Sequence, residues 1–440
     1  MEPSSASLSI TCLRDPEAAA LRLEEIAGRT GGGRMAEETA RVDAILEQVQ
    51  HEGDAALIAL TERFDGVRPD PLRIPEERLK QAWDTCEPEL CQALELAHQR
   101  ILAFHQQQHP ADLAVTGPHG ELLGRRWRPV AAAGLYVPGG RASYPSTVLM
   151  NAVPATVAGV ERVVMVTPPG PGGEPNPTVL AAAHLAGLKE VYRVGGAQAI
   201  GALAYGTESI PRVDVITGPG NLYVTLAKKA VYGRVSIDSL AGPSEVLVIA
   251  DHTADPQLVA ADLLAQAEHD PLAAAILLTT NEALAAAMPA ALAHQLADHP
   301  RAAITRQAIE DWGLIVVCDS LATAASLSDR FAPEHLELLV DDPEPLADRI
   351  QHAGAIFMGP HTPEAVGDYL AGPNHTLPTS GTARFAGALC VETFLRHTSL
   401  IRFNRAALEA TGASVVTLAE SEGLHSHAES VRRRLDPCGS

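Results

Sequence analysis

The chain has 440 residues, of which 46% are hydrophobic, and its formal net charge is −21 at pH 7. This length allows more than one hydrophobic core, so we expect two large units with smaller pieces attached. The acidic balance argues against nucleic-acid binding, because a phosphate backbone requires a basic patch and the nearest candidate, Arg432–Arg434, is short and terminal.

No apolar run approaches the ~20 residues that a membrane-spanning helix needs, and the first residues lack the basic flank and hydrophobic core of a signal peptide. We therefore expect a cytoplasmic protein with no membrane partner. The six cysteines are scattered without a C-x-x-C pair, which indicates neither a disulfide framework nor a thiolate zinc site. A bound metal would accordingly have nitrogen and oxygen ligands.

The N-terminal quarter of the chain carries no obvious chemistry. Residues 1–30 have a mixed composition typical of an arm, and Gly31–Gly33 would form a flexible joint. Between residues 36 and 104, apolar residues recur at helical spacing, so this part is predicted to be helical.

From Arg126 onward, short apolar runs alternate with helical stretches. This alternation predicts a parallel sheet covered by helices. Glycine-rich turns follow several of the runs, and open α/β sheets bind ligands at the carboxyl ends of their strands, so a ligand is expected over these turns. The predicted strands are Ala133–Val137, Val160–Val166, Glu190–Val194 and Val213–Thr217.

The same alternation resumes after Ser244, which predicts a second parallel-sheet unit. A long loop-like passage follows Leu370, and a last helical region ends the chain. Loops of this length are more often functional or interface-forming than incidental. The predicted strands of this second unit are Val246–Ala250, Ala274–Thr279, Leu314–Cys318, Leu336–Val340 and Ala355–Met358.

The stretch Ile237–His269 reads as a turn, a strand and a helix that ends in possible metal ligands. Asp255 is suited to cap the helix, and Pro256 to its first position. Gln266 and His269 are three residues apart, so they share one face of the last turn. The pair offers an amide oxygen and an imidazole, although this spacing alone is more often a simple polar helix end.

Glu334 and His335 stand between a helix end and a strand start. In a regular strand, adjacent residues point to opposite faces, so the pair could be an alternating edge. In an irregular turn both side chains could reach one cleft, where a carboxylate and an imidazole can perform acid–base catalysis. The pattern leaves both interpretations open.

The glycine turn Gly195–Gly201 lies between a predicted strand and a helix, where free helix N–H groups favour a phosphate. No turn in the chain matches G-x-G-x-x-G followed by an acidic residue about twenty positions later. The turn therefore favours a phosphate-bearing ligand more than it favours NAD in particular.

Taken together, these motifs resemble the histidinol dehydrogenase family, over nearly the whole chain beyond residue 125. The Ile237–His269 block resembles the family signature throughout its length. The other matching segments are GLYVPGG from Gly134, VGGAQAI from Val194, GPGN from Gly218, APEHLEL from Ala332, GPNHTLPTSGTARF from Gly372 and EGLHSHA from Glu422.

The resemblance implies an α/β fold with two incomplete Rossmann-like parallel-sheet domains and small terminal arms. It implies an arm at 1–30, an α/β domain at 31–132 plus 244–388 with most zinc ligands and the acid–base pair, an NAD-binding domain at 133–243, and a helical dimerisation segment at 389–440. The implied enzyme is a homodimer with shared active sites, in which His427 acts on the partner's site.

The resemblance also implies an NAD- and zinc-dependent enzyme that oxidises L-histidinol through the aldehyde to L-histidine. His335 would take the alcohol proton, and Glu334 would activate the water that hydrates the aldehyde. The implied zinc ligands are Gln266, His269, Asp368 and His427, with motif alignment favouring His427 over His425. The implied substrate contacts are Ser244, Gln266, His269, Glu334, His335, Asp368, Glu422 and His427, and the implied NAD contacts are Tyr136, Gln198 and Asn221.

Three alternatives stay open at this point. The chain could be a zinc hydrolase in which Glu334 activates metal-bound water. It could be a two-lobed solute-binding protein, although the Glu334–His335 pair and the lack of a signal peptide argue against this. It could also be a member of the same family that oxidises another polar alcohol.

Overall fold

The computed structural model describes residues 8–29, 34–139 and 143–436. Gly31–Gly33, predicted to be a joint, lie outside the described residues. Among the described residues, no helix combines the length and the apolar character needed to cross a bilayer.

The strands, in chain order, are β1 (Thr11–Leu13), β2 (Arg73–Ile74), β3 (Leu113–Thr116), β4 (Leu122–Pro129), β5 (Ala132–Tyr136), β6 (Arg162–Thr167), β7 (Glu190–Arg193), β8 (Val215–Thr217), β9 (Ser236–Ile237), β10 (Glu245–Ala250), β11 (Ala274–Thr279), β12 (Leu314–Val317), β13 (His335–Leu339), β14 (Ala355–Met358) and β15 (Leu395–Arg402).

The helices are α1 (Pro16–Ala27), α2 (Arg34–Glu52), α3 (Asp54–Asp65), α4 (Glu76–Asp84), α5 (Pro88–His105), α6 (Pro145–Ala158), α7 (Pro177–Leu185), α8 (Gly196–Tyr205), α9 (Leu222–Val231), α10 (Pro256–Ala267), α11 (Glu282–Leu296), α12 (Ala302–Trp312), α13 (Leu321–Phe331), α14 (Pro343–Ala347), α15 (Glu364–Tyr369), α16 (Arg405–Ser421) and α17 (His425–Leu435). Short 3₁₀ helices occur at Gln106–Gln108, Thr382–Arg384 and Val391–Phe394.

Two large sheets form the body of the protein. The first has the strand order β2-β7-β6-β5-β8-β9, and the second has the order β1-β12-β11-β10-β13-β14. Without the edge strands β1 and β2, each sheet has five strands, and all of them are parallel. Numbered along the chain, the five strands of each sheet lie in the spatial order 3-2-1-4-5, as in the Rossmann fold. The predicted fold class, two Rossmann-like parallel-sheet units, is confirmed.

The central strands are apolar because helices cover both faces of each sheet. Every residue of β10 and of β11 is buried, which is the pattern expected of an interior parallel strand. At the start of α10, Asp255 accepts a hydrogen bond from the backbone N–H of Gln257, and Pro256 occupies the first turn, as the sequence predicts.

The N-terminal part of the chain is divided between the two sheets. Residues 11–27 are not a separate arm, because β1 pairs with β12 and α1 packs in the core beneath the second sheet. Residues 34–105 belong with the first sheet, and not with residues 244–388, because α2 to α5 pack in its cores and β2 pairs with β7.

A third, smaller sheet connects the C-terminal segment to the body. Its strand order is β15-β4-β3, and all of its pairs are antiparallel. Beyond it, α16 and α17 pack against each other through small and apolar residues, with Gly412 close to Val431 and Leu435. The C-terminal segment, expected to be helical, therefore also contains the strand β15 before its two helices.

Candidate active site

The candidate site lies where the carboxyl ends of the first sheet face the amino ends of the second. Tyr136 ends β5, whereas Glu245 and His335 begin β10 and β13. The loop after α15 connects the two sides, because the Asn374 amide donates to the carbonyl of Met150 in α6. The second sheet thus contributes the amino ends of its strands, whereas open α/β sheets usually bind ligands at the carboxyl ends.

Glu334 and His335 both reach this site, because the backbone turns sharply just before β13. Ala332 ends α13 in the left-handed region with φ 55°, and Pro333 follows it. The backbone N–H of Glu245 donates to Glu334 Oε2 at 3.0 Å, and the carbonyl oxygen of Glu245 lies 3.1 Å from His335 Nδ1. Of the two interpretations that the sequence leaves open, the irregular turn is the one observed.

The contact with the Glu245 carbonyl favours one tautomer of the His335 ring. A carbonyl oxygen can only accept, so the proton lies on Nδ1 and points to Glu245. The buried Nε2 has no hydrogen-bond partner among the described residues. Burial lowers the pKa of His335 to about 3, so the ring is neutral and its free nitrogen can accept a proton.

Glu334 is a buried carboxyl beside another buried carboxyl. Burial, with the nearby Glu245 carboxylate, raises the pKa of Glu334 well above its usual value. The backbone N–H of Glu245 and the positive charge of Arg29 act in the opposite direction. The ionisation of Glu334 therefore depends on the cations and dipoles around it.

Gln266 and His269, the ligand pair proposed from spacing, lie together at the end of α10. One atom of the Gln266 amide is 3.2 Å from His269 Nδ1. The other faces the Glu364 carboxylate at 3.1 and 3.2 Å and His335 Nδ1 at 3.1 Å. If the amide nitrogen faces Glu364, it donates to the carboxylate. If the amide oxygen faces Glu364, two acceptors meet, and a cation would be needed between the Gln266 oxygen and the carboxylate.

Glu364 and Asp368 occupy one face of α15, four residues apart. Single ligand atoms of His335, Glu364 and Asp368 all lie within 4.8 Å of one another. Burial and the neighbouring Asp368 raise the pKa of Glu364 well above its usual value, and burial raises that of Asp368 to about 6. Closely spaced buried acids of this kind hold protons or a divalent cation.

His375 also belongs to this cluster. Its Nδ1 lies 4.0 Å from Asp368 Oδ1, and its Nε2 lies 3.4 Å from Thr147 Oγ1 of α6. Burial lowers the pKa of His375 to about 4, so the ring is neutral. Sequence reasoning missed Glu364 and His375, although Glu364 precedes Asp368 by one helical turn and His375 lies within the matched GPNHTLPTSG segment.

Ser244 directly precedes Glu245 in the chain, whereas the last two proposed substrate contacts lie far from it in the sequence. Ser244 is half-buried in the turn before β10. Glu422 and His427 are exposed on the helical pair α16 and α17. The structure therefore brings together Gln266, His269, Glu334, His335 and Asp368, with Ser244 adjacent, and leaves Glu422 and His427 on the surface.

The proposed NAD contacts lie at the carboxyl ends of the first sheet. Gln198 is in the first turn of α8, and Asn221 caps α9 by accepting from the Val224 N–H. The Tyr136 hydroxyl accepts from the Gly196 N–H at 3.2 Å, and burial raises its pKa to about 12. Two helix N-termini of this kind suit a phosphate-bearing ligand, although Tyr136 already occupies one of the N–H groups.

The comparisons with known proteins agree over almost the full length. The family model described as histidinol dehydrogenase matches residues 31–435. A histidinol dehydrogenase of Parasynechococcus marenigrum (strain WH8102) is 65% identical, with 99% of each chain covered. One from Prochlorococcus marinus (strain MIT 9313) is also 65% identical and covers 99% of this chain and 98% of its own. The crystal structure of histidinol dehydrogenase from Elizabethkingia anophelis superposes with a TM-score of 0.92 at 36% identity, covering 98% of this chain and 99% of that one.

Proposed function

The chain belongs to the histidinol dehydrogenase family, and from that premise we propose that it oxidises L-histidinol through L-histidinal to L-histidine. The net reaction consumes one alcohol, two NAD⁺ and one water, and it releases one carboxylate, two NADH and three protons. The observation that carries the proposal is the joint anchoring of Glu334 and His335 on Glu245, beside a group of nitrogen and oxygen donors.

In the first step, His335 acts as the base. Its unprotonated Nε2 accepts the hydroxyl proton of the substrate, and bound NAD⁺ would supply the acceptor for the hydride that leaves the carbinol carbon. Because Nδ1 stays bonded to the Glu245 carbonyl, the ring is held in the tautomer that leaves Nε2 free. The low pKa of His335 keeps this base unprotonated at neutral pH.

In the second step, Glu334 acts as the base. Its carboxylate takes a proton from the water that adds to the aldehyde carbon, and a second NAD⁺ would supply the acceptor for the hydride that leaves the hydrate. This role requires the ionised carboxylate, which the Glu245 N–H and the charge of Arg29 both favour. A divalent cation bound to the neighbouring donors would favour it further.

The donor set suits zinc, because it contains imidazole, amide and carboxylate groups and no thiolate. The Gln266 amide atom that faces the Glu364 carboxylate lies where a ligand oxygen turned toward a cation is expected. Gln266, His269 and Asp368 would hold the ion together with His427. Zinc would supply a template that binds the imidazole and amine of the substrate and so holds the aldehyde between the two steps.

NAD would bind over the carboxyl ends of the first sheet, against Tyr136, Gln198 and Asn221. Gly218 packs directly on Tyr136, because a Cβ there would lie 2.0 Å from the Tyr136 carbonyl oxygen and only glycine allows the close approach. The first sheet would thus present the nicotinamide to a substrate held at the amino ends of the second.

A homodimer would complete each site with Glu422 and His427 of a second copy. Both residues are exposed within one chain, and the segment that carries them also exposes Ile401 at 73%, Leu418 at 64% and Leu424 at 41%. Exposed apolar side chains grouped on an extension are typical of a surface that another protein covers.

The proposal is tested by following NADH formation from L-histidinol with purified, zinc-loaded protein. The expected result is two NADH for each histidinol consumed, with loss of activity after chelation. A hydrolase would instead turn over an ester or amide without NAD, and a relative with another specificity would oxidise a different polar alcohol in preference. Absence of NADH with histidinol would contradict the proposal.

A further inference from the structure

Arg29 follows α1 by two residues, and its side chain is fully buried. Its side chain and that of its ion-pair partner Glu245 are both 0% exposed, with Nη1 lying 2.9 Å from Glu245 Oε1. The guanidinium also donates to the carbonyls of Leu272, Ile26 and Pro243 at 2.6, 2.8 and 2.9 Å. Arg29 therefore ties the N-terminal segment to the turn that precedes β10.

Glu245 is the point at which three separate parts of the chain meet. Its carboxylate binds Arg29 through Oε1 and accepts from the Ser380 N–H through Oε2 at 3.3 Å. Its backbone N–H and carbonyl point toward β13, where they contact Glu334 and His335. The Glu245 side chain thus forms the ion pair, while its backbone N–H and carbonyl contact the two acid–base residues.

We propose that Arg29 and Glu245 are positioning residues, which hold the peptide group of Glu245 so that it aligns Glu334 and His335 together. This inference rests on the proposed function. Neither side chain touches the reacting atoms. They act by fixing the backbone groups from which the two bases take their orientation.

The location of the pair favours this role over a purely structural one. Burying two charges is costly, and a buried ion pair can often be replaced by neutral residues of similar size without loss of stability. An ion pair at this place gives a rigid turn with directional bonds, because the planar guanidinium donates to several acceptors at once. Small displacements of catalytic groups, of about 1 Å, can lower a rate about 10²-fold.

The test replaces the pair by neutral residues of similar size, as the double variant Arg29→Met with Glu245→Gln. We expect it to fold with KM for histidinol within about twofold of the parent, whereas kcat should fall at least about tenfold in both oxidation steps. Arg29→Lys keeps the charge but not the fork of donors, so its kcat should lie between those of the parent and the double variant.

The matched control is Arg162→Met with Glu190→Gln. This pair lies at the amino ends of β6 and β7, away from the site, with N–O contacts of 2.8 and 3.1 Å. Its kcat should equal that of the parent. If the Arg29–Glu245 variants keep parental kcat in both steps, whatever their thermal stability, the pair is structural only and the proposal is wrong.

A second readout does not require activity. In metal-free protein labelled with ¹⁵N-histidine, the His335 signal, assigned by its loss in His335→Gln, should report the Nδ1-protonated tautomer. Arg29→Lys and the double variant should shift it toward a mixture of tautomers, because the Glu245 carbonyl is displaced. An unchanged tautomer in both variants would overturn the positioning role. A parent that failed to oxidise histidinol would instead count against the proposed function alone, and the tautomer measurement would still apply.

Discussion

The imidazole of His335 is bonded through Nδ1 to the carbonyl oxygen of Glu245 at 3.1 Å, and its Nε2 is left without a partner among the described residues. If Nε2 is the base of the first oxidation, His335→Asn should lower kcat for histidinol by about 10²-fold or more. Oxidation of histidinal supplied directly should fall less. Both rates are measured from NADH formation, and His252→Asn, with a side chain 80% exposed, serves as the matched control.

Glu334 is expected to matter more for the second oxidation than for the first. Glu334→Gln keeps the shape of the side chain and its contact with the Glu245 N–H but removes the base that activates water. The rate of histidinal oxidation should therefore fall about 10²-fold or more, and that of histidinol by a smaller factor. Equal losses in the two half-reactions would reject the role assigned to Glu334.

The distance along the chain between His269 and His427 makes the shared site testable. Neither His269→Ala nor His427→Ala should be active alone, because each removes a proposed zinc ligand. In mixed dimers, one of the two sites would combine the intact His269 of one subunit with the intact His427 of the other, so part of the activity should return. Verified mixed dimers without activity would place His427 in the site of its own chain.

Metal removal should abolish NADH formation without unfolding the protein, because the two sheet cores do not depend on the donor cluster. Adding zinc back should restore turnover and raise the melting temperature, since a ligand that binds only the folded state stabilises it. His269→Ala should remove most of this increase in melting temperature. A parent whose melting temperature does not respond to zinc would argue against the ligand set.

Glu337 predicts a pH-dependent change in stability. Burial, with the neighbouring Asp262, raises the pKa of Glu337 from 4.5 to about 9, and its carboxylate accepts from the Glu364 N–H at 2.9 Å. Between these pH values the folded protein keeps a proton that the unfolded chain has lost, so this carboxyl makes the protein less stable as pH rises. Glu337→Gln should therefore raise the melting temperature relative to the parent by an amount that grows from pH 5 to pH 9. A constant difference would contradict the raised pKa.

The sequence predicts the interior strands well but not the edges. The strands of both large sheets from β5 to β14 coincide with apolar runs, apart from the two-residue β9, because helices on both faces require continuous burial. The strands β1 and β2 have only three and two residues, which is too short for a periodic pattern. The packing of α2 to α5 on the first sheet joins segments that are far apart in the sequence, so local residue patterns do not predict it.

In the site, too, contacts between residues close in sequence are predictable, whereas contacts between distant residues are not. Gln266 and His269 share a helix end, so spacing alone makes them a candidate pair. The orientation of Glu334 and His335 depends on the left-handed backbone at Ala332 and on Glu245, which lies 89 and 90 residues away from them in sequence. Glu364 carries no distinctive motif, and only the tertiary structure brings it to Gln266.

The pairing of β1 with β12 affects how the chain is completed during synthesis. β1 leaves the ribosome roughly three hundred residues before its partner strand, and contacts this far apart form late because a long loop must close first. The first sheet and its helices can therefore assemble before β1 has a partner strand. Removing residues 8–13 would leave the edge of β12 open, and an exposed parallel edge invites pairing with another nascent chain. The short strand β1 thus covers a sheet edge that would otherwise be open to pairing.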